Sequence, residues 1–105
     1  MTTQYHSIYR KCDNIRLPLG EIIITPSALS ILSPDDIKNA IIKHSRGDWG
    51  IEDKDSRRGN EVLLNSGRTV GSIHRAQITE IKYFVFTNGN RNKTIVILSN
   101  EKCPF

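Results

Sequence analysis

The spacing of apolar positions changes partway along this chain, from short clusters at helical intervals to continuous β-branched and aromatic runs, and the change divides it into a helical part and a strand part. Residues 1–17 scatter Tyr5, Ile8 and Tyr9 among Thr, Gln, Ser and basic side chains with no period that buries one face. They read as a loosely ordered arm, followed by a single domain over 18–105. Pro18 and Gly20 punctuate the chain, and the run Ile22-Ile23-Ile24 predicts a short buried strand within 21–25.

Thr25-Pro26 and Ser33-Pro34 each set a capping hydroxyl immediately before a proline suited to the first helical position. A helix of a turn or two is therefore expected over 26–32, and a longer one from Pro34 to about Ser45. In the longer one, Asp35 and Asp36 favour the positive end of the helix dipole and Lys43 and His44 the negative end. Ile37, Ala40, Ile41 and His44 share a face at i, i+3, i+4, i+7, so that face is expected to pack on the sheet. Gly47 supplies a left-handed stop, and a loop follows around Trp49, which is expected to be buried. A third helix is expected from near Asp53 to before Gly67.

From Arg68 onward strands are expected over 69–74, 78–87 and 94–99. The link Asn88-Gly89-Asn90-Arg91-Asn92 tolerates positive φ and predicts a hairpin. Tyr83 to Phe86 and Ile95 to Leu98 are continuous apolar runs, which places this hairpin centrally with both faces covered. The fold class is α+β: a short strand and two to three helices, then a three-stranded antiparallel meander.

The 105-residue length allows one core, and a net charge of +4 permits attraction to acidic partners without choosing one. The basic residues are dispersed rather than gathered into one stripe. With two cysteines, Cys12 and Cys103, and no apolar run long enough for a signal peptide or a membrane span, a cytoplasmic location is expected, with the thiols free in a reducing compartment or else joined as a disulfide between the two ends. Two distant Cys and three scattered His lack zinc-ligand spacing, so no metal and no cofactor is expected. No phosphate-binding glycine loop or nucleophile elbow is present.

Candidate chemistry gathers at three places. His44 beside Asp48 and Trp49 can hold an imidazole in one tautomer, or can simply finish a helix. Arg57, Arg58 and Asn60 can grip phosphate or an acidic partner, or form a solvated helix face. Arg91 and Thr94 at the hairpin mouth could join His44 as the base, cation and hydroxyl of an RNA-cleaving site. The other outcome packs His44 against apolar residues such as Ile81, Val85 or Ile97, where its charged form is disfavoured.

His44 with Gly47-Asp48-Trp49-Gly50, then Arg57-Arg58 with Asn60-Glu61, Gly67-Arg68 and Ser72, and finally Thr87, Arg91 and Thr94 before Val96-Ile97-Leu98 form a pattern. In it the chain resembles a family of small bacterial proteins carried on plasmids and phage-like elements, some labelled as restriction-modification subunits. The resemblance spans roughly residues 20–99. The chain departs from it at Ile73-His74, at Asn88-Gly89-Asn90 and in its last residues. The resemblance implies a mobile-element setting and no established reaction; with the absence of catalytic motifs, the expected function is an accessory or interaction protein that binds a macromolecular partner, protein more than nucleic acid, and no membrane. Partner contacts are then expected from Asp48, Trp49, Arg57, Arg58, Asn60 and Arg91. The alternatives are a small barnase-like or toxin-type ribonuclease using His44, Arg91 and Thr94, and a basic nucleic-acid-binding module.

Overall fold

A computed structural model describes residues 17–50 and 66–105. The first strand, β1 (Glu21–Ile24), is followed by a short helix α1 (Pro26–Ile31) and the longer α2 (Pro34–Ser45). Three more strands complete the described chain: β2 (Val70–Arg75), β3 (Lys82–Thr87) and β4 (Lys93–Leu98).

Both helices begin where the proline pairs predict. The residue before each proline is held extended, with ψ 151° at Thr25 and 153° at Ser33, because the proline ring excludes the helical region there. The Thr25 hydroxyl accepts from the Ala28 amide at 3.2 Å and the Ser33 hydroxyl from the Asp36 amide at 3.1 Å, satisfying first-turn donors. The second cap also ends α1, since Leu32 is already extended. At the far end of α2, Gly47 adopts φ 78°. Its amide donates to the His44 carbonyl at 3.1 Å and the Asp48 amide to the Lys43 carbonyl at 2.8 Å, which is a Schellman closure.

Among the described residues the sheet has four strands in the order β1-β4-β3-β2. The two β3 contacts are antiparallel, as the hairpin chemistry predicts, but β1 joins the far edge of β4 in parallel, with Ile22 opposite Thr94 and Ile24 opposite Val96. The α+β class therefore stands, while the three-stranded antiparallel meander becomes a four-stranded mixed sheet. β3 and β4 are its central strands. Ile95 and Ile97 of β4 are buried on the face away from α2, and Phe84 and Phe86 of β3 are half-buried there.

The strand expected from Ile78 begins later, at Lys82. Residues 77–80 form a turn instead, closed by the Glu80 amide on the Ala76 carbonyl at 3.0 Å, with Glu80 at φ 60° and Ile78 94 % exposed. At the hairpin, the positive φ falls on Arg91 (59°) rather than on the glycine or an asparagine. The Asn88 side-chain oxygen accepts from the amides of Asn92 and Lys93, both at 3.1 Å, and sets the loop.

The core lies between α2 and one face of the sheet: Ile37, Ala40 and Ile41 of α2 meet Ile22, Ile24, Val70, Tyr83, Val85 and Val96. Leu17, the last residue assigned to the loose arm, belongs to this core, and its amide donates to the Ser45 carbonyl at 3.0 Å. The rest of that arm and nearly all of the third expected helix, with Arg57, Arg58 and Asn60, lie outside the described residues. Cys103 carries a free thiol; Cys12 is likewise outside them. Among the described residues no helix is long and apolar enough to cross a membrane.

The loop after α2 is tied to the outer edge of β2, where the Ile73 amide donates to the Trp49 carbonyl at 3.2 Å. Gly50 sits at φ 80°, and a Cβ there would land on the Ile73 carbonyl oxygen. Gly50→Ala is therefore expected to cost about 2 kcal/mol or more, combining left-handed strain with loss of this close approach. A urea midpoint matching that of the wild type would contradict the assignment.

Candidate functional site

His44 reaches the interior because it is the i+7 member of the apolar face of α2, and it is fully buried. An imidazole in that position needs partners for both nitrogens. The sheet supplies them as hydroxyls: Nδ1 lies 2.8 Å from Ser72 Oγ of β2, and Nε2 lies 2.9 Å from Thr87 Oγ1 of β3. The contact extends in both directions. Ser72 Oγ is 2.8 Å from His74 Nε2, and Thr87 Oγ1 is 2.7 Å from Thr94 Oγ1, the residue opposite it in the register. Thr94 finally donates to the Leu19 carbonyl at 2.8 Å. Six residues from four strand or helix elements and the segment before β1 thus share one buried polar row.

Burial is the first cause that lowers the His44 pKa to about 3, followed by the charges of His74 and Arg91. His74 is lowered to about 4, again by burial first and then by Lys43, with Asp48 opposing. The Tyr83 hydroxyl is raised by burial and by Asp36. Both rings are accordingly neutral near pH 7. The unfolded chain binds its histidine protons near pH 6.5, whereas the folded state refuses them until about pH 4 and 3, so the unfolded state holds more protons in that window. Stability is therefore full above pH 6.5 and falls as the pH drops. Each ring contributes a slope of about 1.4 kcal/mol per pH unit where only the unfolded form is protonated. Urea midpoints are expected to fall between pH 7 and 5, less steeply in His74→Gln; a flat wild-type profile would refute this.

His74 also forms the wall of a cleft of about 340 Å³ between α2 and β2, together with Lys43, Asp48, Gly50, Arg75 and Gln77. Asp36 braces it from one side. Its carboxylate accepts from Ser33 Oγ at 2.9 Å and from the Gln77 amide at 3.2 Å, while its carbonyl accepts from the Tyr83 hydroxyl at 2.9 Å. The Tyr83 ring lies 5.6 Å from that of His74. Lys43, Asp48 and Arg75 are exposed, so the cleft presents charges of both signs to solvent.

Of the sequence candidates, His44 and Thr94 do come together, joined through Thr87, but both are fully buried and neither meets a substrate-accessible surface. His44 is buried, as the second outcome expected, and its two nitrogens meet hydroxyls that sequence reasoning did not assign to it. Arg91 stays at the hairpin, where its guanidinium donates to the Arg68 carbonyl at 2.7 Å and the Asn88 carbonyl at 3.0 Å. Asp48 is exposed at the cleft. Trp49 is only 2 % exposed and cannot offer the partner surface assigned to it. Its indole packs edge-on to His44, with centroids 5.7 Å apart.

Sequence reasoning missed His74, Lys43, Arg75 and Gln77 as cleft residues, and missed Thr87 as the partner of His44. A signal for part of this was present: Val70, Ser72 and His74 alternate along one strand, so a core-facing Val70 brings the other two inward. No group of three or more His, Cys, Asp or Glu among the described residues is arranged to hold a metal ion. Comparison with protein-family models, with curated proteins and with solved structures finds no match to this chain.

Proposed function

We propose that this chain is a non-enzymatic binding protein, an accessory or interaction protein of a mobile genetic element, which docks a macromolecular partner through the cleft between α2 and β2. The observation that carries this reading is the division of its polar groups. The residues with the chemistry of a ribonuclease, His44 and Thr94, are buried and mutually satisfied, while Lys43, Asp48, Arg75 and Gln77 line an open cleft on a braced framework. Charges of both signs suit a protein surface better than a phosphate backbone, which favours cations throughout. The mobile-element setting rests on the family resemblance alone.

The test is a pull-down from the native host, run with and without nuclease, comparing the wild type with Lys43→Glu/Arg75→Glu. A protein that survives nuclease and is lost from the double variant is the expected result. Equal capture by both forms, a nuclease-sensitive harvest, or RNA cleavage by the purified wild type would each overturn the reading.

A further inference from the structure

The buried row of hydrogen bonds has a direction, and one end of it determines that direction. A backbone carbonyl only accepts, so the Thr94 hydroxyl proton lies on the Leu19 oxygen. Each hydroxyl has a single proton. With its own proton committed, Thr94 can only accept across the 2.7 Å contact, so Thr87 is the donor there. Thr87 must then accept from His44, which places a proton on His44 Nε2. In the neutral ring Nδ1 is left as a lone pair, and Ser72 donates to it. Ser72 in turn accepts, so His74 carries its proton on Nε2.

We infer that the Leu19 carbonyl, acting through Thr94, Thr87, His44 and Ser72, holds His74 in the Nε2–H tautomer and so presents its Nδ1 to the cleft as a hydrogen-bond acceptor. Gly50 adjoins that nitrogen: a Cβ there would lie 3.1 Å from His74 Nδ1, and His74 itself is 6 % exposed. Both residues line the cleft. Resting on the reading of the cleft as the docking site, this assigns its ligand a chemistry at one point. The partner brings an N–H or O–H donor to His74, beside the second acceptor, the Asp48 carboxylate.

The alternative order is the complete reversal: Thr87 donates to His44 Nε2, His44 Nδ1–H to Ser72, and Ser72 to His74 Nε2, which turns His74 Nδ1 into a donor. With Thr94 donating to Leu19, that reversal leaves two oxygens 2.7 Å apart with no proton between them. Thr94→Val removes this obstacle and gives Thr87 a reason to donate to His44 instead.

Nitrogen-15 to proton correlation NMR of the imidazoles at pH 7 reads both tautomers directly. The expected result is Nε2–H at His44 and His74 in the wild type and in Thr94→Ser, and Nδ1–H at both in Thr94→Val. Wild-type spectra with Nδ1–H at either ring would overturn the inference even if Thr94→Val failed to fold, and an unchanged tautomer in a folded Thr94→Val would remove control by the Leu19 end. Where the tautomer inverts, partner capture by Thr94→Val should drop at least tenfold; undiminished capture refutes the acceptor role of Nδ1. Failure of the wild type to capture any protein overturns the docking function and the ligand assignment that rests on it, and leaves the proton order to the spectra.

Discussion

His44→Ala is expected to lower the unfolding free energy by about 3–5 kcal/mol. The truncation leaves a cavity on the core face of α2, and it also strips Ser72 and Thr87 of the partners they meet at 2.8 and 2.9 Å. Each hydroxyl keeps its other contact, Ser72 to His74 and Thr87 to Thr94, but a buried polar group stripped of a partner on one side costs about 1–3 kcal/mol, more than the bond itself contributes in net terms. His44→Leu separates the two causes, since it refills most of the volume but satisfies neither hydroxyl. It should recover little on its own and more when combined with Thr87→Val, which removes one stranded hydroxyl and leaves Thr94 its bond to the Leu19 carbonyl, whereas adding Ser72→Ala would strand His74 Nε2. A single His44→Leu as stable as the wild type in urea would mean that the polar row is not holding the helix to the sheet.

Trp49→Ala is expected to cost about 3–5 kcal/mol as well, but for a different reason. The indole is almost wholly buried against His44 at the point where the loop after α2 meets β2. Its Nε1 finds no hydrogen-bond acceptor among the described residues. The loss in the alanine variant is therefore one of packing, and Trp49→Phe, which keeps an aromatic ring and forfeits no hydrogen bond, should cost only about 1–2 kcal/mol. Comparable midpoints for the alanine variant and the wild type would refute the packing role. A phenylalanine variant as damaged as the alanine one would indicate that Nε1 has a partner after all.

The helices were legible because their determinants are local. Ser33-Pro34 and Gly47 act on the backbone within a residue or two, and the spacing of Ile37, Ala40, Ile41 and His44 identifies the face that is buried. The strand run Ile22-Ile23-Ile24 was legible as a strand but not as the parallel neighbour of β4, because a β-branched run carries no mark of its partner. Ile78 was misplaced for a related reason. An apolar residue adjoining an apolar strand looks continuous with it, yet the turn closed by Glu80 leaves Ile78 at the tip. The burial of His44 followed from helical period alone, whereas its partners depend on four elements stacking in register, and no short window of sequence contains that. The cleft was illegible altogether, since it is a gap between α2 and β2 whose depth is set by how Asp36 fastens Gln77 and Tyr83.

The parallel pairing of β1 with β4 has a consequence for how the chain is made. Among the described residues β1 is the first strand to leave a ribosome and β4 the last, and β4 is the strand that β1 pairs with. During synthesis the Ile22-Ile23-Ile24 segment must therefore wait for its β4 partner while the intervening residues are translated. Contacts of such high sequence separation slow folding and leave nascent strands exposed to association with other chains. The interval between translating the two strands is the period in which a holding chaperone would matter most to this protein.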